Sequence, residues 1–520
     1  MAKNKLNTHS LNAPLLHENH KKPVTRREFL GAGLISGSAM VMAPTILSLV
    51  NSTKANAATA TSCGLDVKGA GKIPFICFDL GGGANMTGSN VLVGGPGGQR
   101  DFLSTAGYSK LGLPPAFLPN LAKDGRTDQI DDSLGLLFHS DSAFLRGIQD
   151  KFVTDVASTN GAIIPARSDN DTGNNPHNPM YGINKAGSDG QLLTLIGTRN
   201  SDSGGRSMAP ADMIDPTKIP TKIDRPSDSI GLVDTGDLGQ SMPKEDVAVV
   251  MQAIERISAQ KIGKTPEQIA DLVVRDLMHC GYLKTTDTVA YFGDPTVFNP
   301  TTSPTIIGGT PPIFTANDFN DGNFSKTATV MNLVIQGLAG AGTIEMGGYD
   351  YHNGTRATGE NRDFKAGQCI GACLEFAARS GKPLMVYVFT DGSLASNGTV
   401  MGDETTEERG KSVWTGDNSS TSAGFFLVYN PGAKPVLMST DGQTPEQHQQ
   451  LGHFRSSGSV ETSGTTPGAN NVNSLVEMVV LNYMALHGEQ TDFPSKFPNS
   501  SLGNDLDRLT AFEPIVNGTI

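Results

Sequence analysis

The chain has 520 residues, with 40 lysines and arginines against 52 aspartates and glutamates, for a formal net charge of −12. Such a polyanion repels nucleic acid and anionic lipid, so neither is an expected partner, whereas excess carboxylate suits hard divalent cations. Sixty-one glycines and a charged fraction of 18% describe a loop-rich, enzyme-like body and exclude a charge-dense helical bundle.

Taken in chain order, residues 1–57 read as an export leader that is cleaved. Thr25-Arg26-Arg27-Glu28-Phe29-Leu30 precedes an uncharged segment from Gly31 to Val50, and Ala55-Asn56-Ala57 supplies the small-x-small pattern cut by a signal peptidase. Paired arginines ahead of an apolar run diluted by Gly31, Gly33, Ser36 and Gly37 are the twin-arginine signature, and they argue against a membrane anchor. The expected partner during export is the twin-arginine translocase, and the expected location is the periplasm or the cell exterior. The leader holds seven basic and two acidic side chains, which leaves −17 on the mature part. No other stretch is long and apolar enough to span a bilayer, so the mature form is expected to be soluble.

Residues 58–520 read as a single large α/β domain with a loop and helical insertion around 205–325. Ile73 to Leu80 (IPFICFDL) is short and apolar and runs into Gly81-Gly82-Gly83, as a buried strand does. A helix is expected around Ser142 to Lys151. Ala162 to Pro165 is a short apolar stretch leading into the polar loop Arg167 to Asn178, and Met208 to Asp237 reads as a surface excursion. Helical periodicity follows from Lys244 to Ile262, then from Thr265, a cap followed by Pro266, to Cys280. Lys326 to Leu338, Asn361 to Arg379 and Val472 to His487 are further helices. Gly342 to Met346, Leu384 to Thr390 (LMVYVFT) and Phe425 to Tyr429 (FFLVY) are further strands. This alternation implies parallel strands, right-handed crossovers, helices on both faces, and ligands at the strands' carboxyl ends. Five cysteines (Cys63, Cys77, Cys280, Cys369, Cys373) are an odd number without a CxxC, which speaks against a disulfide framework, thiol redox chemistry and structural zinc.

Four polar groupings meet the strand-end description. The loop from Gly81 to Ser89 follows Asp79 and holds Asn85, Thr87 and Ser89; it lacks the GxGxxG pattern of a dinucleotide site. Ser168 to His177 packs carboxylates, amides and one imidazole together, either as a cation loop or as a turn of self-bonded Asx side chains. Asp350 and His352 lie two apart after a strand, so they project to one side of extended backbone, either sharing a metal or pairing with each other. Asp391 follows LMVYVFT directly, with Asp417 and Asn418 placed just before FFLVY.

In these segments the chain resembles a bacterial family of unknown function, exported by the twin-arginine route and related to the alkaline phosphatase and sulfatase superfamily. Leu80 to Asn85 is similar to that family's LxGGxD-type turn, and Tyr349-Asp350-Tyr351-His352 to its WDTH-type motif. Phe389 to Ser393 resembles the SEFGR segment, Thr415 to Asn418 the TDHG-type turn, and Arg167 to His177 the RSHF-like segment. Asn85 stands in place of an Asp, Asp391 of a Glu and Asn418 of a His. The resemblance implies a three-layer α/β/α sandwich with a mostly parallel central sheet and long loop insertions. It also implies a metal-dependent hydrolase of small anionic phosphate or sulfate esters. Asp350, His352, Asp391, Asp417 and Asn85 would hold a divalent ion (Zn, Ca, Mg or Mn), with His177 as acid or base and Thr87 beside the first loop. The amide replacements favour a second reading, a family member without turnover that serves as an envelope or secretion-associated binding protein.

Overall fold

Seven apolar or glycine-bounded segments come together as one twisted sheet. The computed structural model describes residues 71–168, 175–232, 253, 256–257, 295–439, 442–517 and 520. The leader, almost all of the helix expected at 244–262, the helix expected at 265–280, Cys63, Cys280 and residues 169–174 lie outside them. Leaving aside the short antiparallel pair Ile130–Asp131 and Phe138–His139, the strands in chain order are β1 (Phe75–Gly81), β2 (Thr159–Pro165), β3 (Leu193–Gly197), β4 (Thr221–Lys222), β5 (Ala339–Gly347), β6 (Leu384–Phe389), β7 (Leu394–Val400), β8 (Ser412–Asp417) and β9 (Ala423–Tyr429). β7 and β8 pair only with each other, as an antiparallel hairpin; the rest form a sheet in the order β2-β9-β6-β1-β5-β3-β4.

β6, β1, β5, β3 and β4 run parallel, and β9 runs antiparallel to both β6 and β2. The sheet is mostly parallel, as expected, and FFLVY is its antiparallel member, where the alternation of elements predicts a crossover. A hairpin, not a helix, connects β6 to β9, and without a crossover the chain returns in the opposite direction. The expected surface excursion also contributes structure: Thr221–Lys222 completes one sheet edge, and Ile223 is buried.

Side chains alternate across the sheet with the two-residue period of a strand. Ile76, Phe78 and Leu80 of β1 belong to one core with Phe144 and Ile148 of α1 (Ala143–Lys151), Val330 and Val334 from Gly322–Ile335, and Ile370 and Leu374 from Arg356–Arg379. Phe75 and Cys77 of β1 face a second core that includes Met180 and Ile183 of α2 (Met180–Lys185) and residues of the closing helix at 472–485. In chain order the three longer helices after α2 are α3 (Gly322–Ile335), α4 (Arg356–Arg379) and α5 (Val472–Ala485). Helices on both faces make a three-layer α/β/α sandwich. Burial on both faces explains why the central strands read as continuous apolar runs, each large side chain contributing about 1.5–3 kcal/mol. α1 and α4 approach to backbone contact: a Cβ on Gly367 would lie 2.2 Å from the Phe144 carbonyl oxygen. Cys77, Cys369 and Cys373 are buried free thiols.

Candidate metal centre

β1, β5 and β6 are adjacent and parallel, so their carboxyl ends open on one rim of the sheet. Three loops leave there, after Gly81, Gly347 and Phe389. Gly82 sits between the other two loops. Its N–H donates to Asp391 Oδ1 at 2.7 Å, and at φ +127° a Cβ would lie 2.5 Å from the Asp350 backbone nitrogen. Only glycine tolerates both the positive φ and that approach. Thr390 Oγ1 accepts from the Gly83 and Ala84 N–H groups and donates to the Leu80 carbonyl, which fastens the first loop to the third. The hairpin brings in the fourth segment: Asp417 pairs in register with Leu394, and the Asn418 N–H donates to the Ser393 carbonyl at 2.9 Å.

At this rim Asp350, His352 and Asp417 converge. His352 Nε2 lies 2.9 Å from Asp350 Oδ1 and 3.8 Å from Asp417 Oδ2, and one donor atom from each residue falls within 4.8 Å of the others. Donors held about 2.0–2.2 Å from a common ion sit roughly 3.0–3.5 Å apart, so the oxygen–nitrogen–oxygen set suits one divalent cation once the half-exposed Asp417 side chain turns inward from 3.8 Å. The side chains of Asp350 and Asp417 are 49% and 54% exposed and that of His352 is 23% exposed, which leaves an approach from solvent.

The remaining expected residues lie elsewhere. The Asp391 carboxylate is fully buried, turned to the Gly82 N–H, with Arg206 Nε 3.6 Å from its other oxygen. Asn85 is buried in its own loop, its N–H donating to Tyr351 Oη at 2.8 Å and its amide nitrogen to Ser89 Oγ at 2.7 Å. Thr87 is buried with its hydroxyl donating to the Thr421 carbonyl. His177 is buried against the Phe389 ring (centroids 6.3 Å apart), and among the described residues neither ring nitrogen has a hydrogen-bond partner. Burial alone pushes its pKa down to about 4, so the ring is neutral at physiological pH.

Asp79, the head of the first polar grouping and an alternative to Asn85 as a ligand, is also withdrawn from the rim, and the charged groups Asp363 and Arg206 nearby were not anticipated. Asp79, fully buried on β1, accepts from the backbone N–H groups of Arg206 and Ser207 at 2.6 and 2.8 Å. Burial pushes its pKa up to about 7; those N–H bonds oppose the shift, and the neighbouring carboxylates of Asp391 and Glu345 reinforce it. Asp363 of α4 is also buried and raised to about 7, burial outweighing its bonds from Tyr351 and Asn90. The sequence carries a signal for Asp363: Arg356, Glu360 and Asp363 share the helical stripe of Gly367 and Ile370, the buried face of α4. Nothing comparable marks Arg206.

The fold and rim together define an α/β protein with a mostly parallel seven-stranded sheet and an Asp-His-Asp group at its carboxyl edge. No protein-family model matches the chain, and no curated protein matches it. Solved structures that share features with it include two mutants of TAB5 alkaline phosphatase with magnesium bound, in which one histidine is replaced by aspartate or by glutamate. They are 13% and 14% identical, cover 70% of this chain and 92% of theirs, and align with TM-scores of 0.21 and 0.22.

Proposed function

We propose that Asp350, His352 and Asp417 bind one divalent cation and that the exported protein acts there on a small anionic phosphate or sulfate ester. The convergence of these side chains, from loops 65 residues apart in sequence, carries the reading: two carboxylates and an imidazole share one solvent-facing point. A bound cation would polarise an ester oxygen and lower the pKa of a coordinated water. Asp350 and Asp417 would supply its anionic oxygens and His352 its nitrogen. Three protein donors leave coordination positions open, as sites that act on substrates require. The twin-arginine pattern at Thr25 to Leu30 supports delivery of the folded protein beyond the inner membrane.

A second reading is a cation-dependent binding protein without turnover. The burial of Thr87 and His177 favours it, since both are enclosed in the body and the Thr87 hydroxyl is committed to a carbonyl. Metal analysis of the purified protein, with assays on an aryl phosphate and an aryl sulfate, decides between them. Turnover in wild type that Asp350→Ala abolishes supports the hydrolase; bound metal without turnover supports the binding protein. Metal-free, inactive wild type that takes up no added cation removes both.

A further inference from the structure

Between the two adjacent candidate ligands sits a residue of opposite character. Tyr351 is 2% exposed, whereas the flanking Asp350 and His352 reach solvent. Its hydroxyl is held from two directions, accepting from the Asn85 N–H at 2.8 Å and donating to Asp363 Oδ1 at 2.7 Å. The other Asp363 oxygen accepts from Asn90 Nδ2 at 2.8 Å. Asn90 Oδ1 in turn accepts from Ser142 Oγ at 2.9 Å, so the chain of bonds ends on the N-cap of α1. The ring packs over α4, where a Cβ on Gly359 would come within 2.8 Å of it. Three residues on, the Gly354 N–H donates to the Trp414 carbonyl at 2.7 Å, tying the same loop to β8, which ends in Asp417.

We propose that Tyr351 is the positioning residue of the cation site: its buried hydroxyl, locked between Asp363 and the Asn85 N–H, sets where Asp350 and His352 stand relative to Asp417. This rests on the reading of those residues as cation ligands. The physical reason is pre-organisation. The donor side chains lie at a wet rim, where rotamer freedom would otherwise be lost on binding, and a fixed loop reduces that loss. A hydrogen-bonded outer layer of this kind commonly changes metal affinity 10–100-fold when disturbed. It also gives Asn85, one of the residues expected to bind metal, a different task, because its backbone N–H holds the tyrosine.

The test is Mn²⁺ binding to the full chain by calorimetry, with the Mn²⁺ paramagnetic resonance line shape as a second readout. Wild type, Tyr351→Phe and Asp350→Ala are compared. Tyr351→Phe keeps the ring that fills the space above Gly359 and removes only the hydroxyl. The expected result is binding in wild type, at least tenfold weaker binding with an altered line shape in folded Tyr351→Phe, and none in Asp350→Ala. Equal affinity and line shape in wild type and Tyr351→Phe overturn the positioning role and leave the cation site standing. Absence of binding in wild type overturns both. Should Tyr351→Phe fail to fold, Asp363→Asn disturbs the same lock from its other end and carries the same expectations.

Discussion

Strand β8 joins two charged regions built on opposite terms. Just before it, the Lys411 ammonium is fully buried, donating to Glu360 Oε1 at 2.9 Å and to the Asp141 carbonyl at 2.7 Å. Glu360 also accepts from Arg356 and Arg146, and Asp141 from Arg409, while the Arg356 guanidinium stacks 4.7 Å from the Trp414 ring. Burial alone would raise Glu360, but Lys411 and Arg356 hold it below the usual carboxylate range. At the far end of the strand, Asp417 joins Asp350 and His352 half in water. In the Lys411 network, where water is excluded, each charge has a counter-charge, because an unpaired one would cost several kcal/mol. At the rim, two carboxylates crowd one imidazole, an arrangement that solvent tolerates and a cation would complete. Dry, paired charges mark the structural region, and a solvent-facing group of two carboxylates and an imidazole marks the candidate binding region.

The largest expected effect is at the buried end. Lys411→Met should lower unfolding free energy by about 3–5 kcal/mol, since it leaves Asp141 and Glu360 with one cation fewer in a dry interior. Denaturant unfolding measures this, and a loss below about 1 kcal/mol would dissolve the contrast between the two regions. Next is the pH dependence of Asp79. Its pKa rises from 3.8 to about 7 on folding, so the fold holds a proton that the unfolded chain releases between those values. Stability from this group is therefore fully present below about pH 4 and is lost as pH rises through about 7. Asp79→Asn keeps one oxygen for the Arg206 and Ser207 N–H groups. It should shrink the stability difference between pH 5 and pH 8 by on the order of 1–3 kcal/mol. An unchanged difference would show Asp79 to be ionised throughout.

Smaller still is the effect at His177. A buried imidazole without partners costs free energy that an apolar side chain does not, so His177→Leu should leave stability equal or raise it by about 1 kcal/mol. Its pKa falls from 6.5 to about 4 on folding, so wild type should lose stability as pH drops through that range, and the variant should not. Equal acid sensitivity in both would place the imidazole's proton elsewhere.

The sheet was legible in the sequence wherever burial on both faces produced a continuous apolar run, as in LMVYVFT. The hairpin was not: LASNGTV and SVWTGD are polar and pair only with each other, so no apolar run announces them, and with them went the direction of β9. At the site, Asp350 and His352 could be read because adjacency in sequence forces proximity, and Asp417 followed from its place before a core strand. Asp391, equally well placed in sequence, turns inward because the Gly82 N–H, which the sequence presents only as one of three glycines, claims its carboxylate. The roles of Tyr351 and Asp363 depend on which loop packs over which helix, information carried by tertiary contacts and not by spacing.

The smallest expected change in stability is also the sharpest test of the comparison. Asp350→Ala removes an exposed carboxylate whose pairing with His352 is worth little in water, so cation-free unfolding free energy should move by no more than about 0.5 kcal/mol. Added Mn²⁺ should separate the proteins. A ligand that binds only the folded state stabilises it by about 2.7 kcal/mol at one hundred times its dissociation constant. Wild type should gain that much and Asp350→Ala almost none, whereas Lys411→Met, weakened at the outset but with the rim intact, should gain the same increment as wild type. If Mn²⁺ raised the stability of wild type and Asp350→Ala equally, the ion would be binding elsewhere on a polyanionic surface. The rim would then be, like the Lys411 network, only a place where charges settle among themselves.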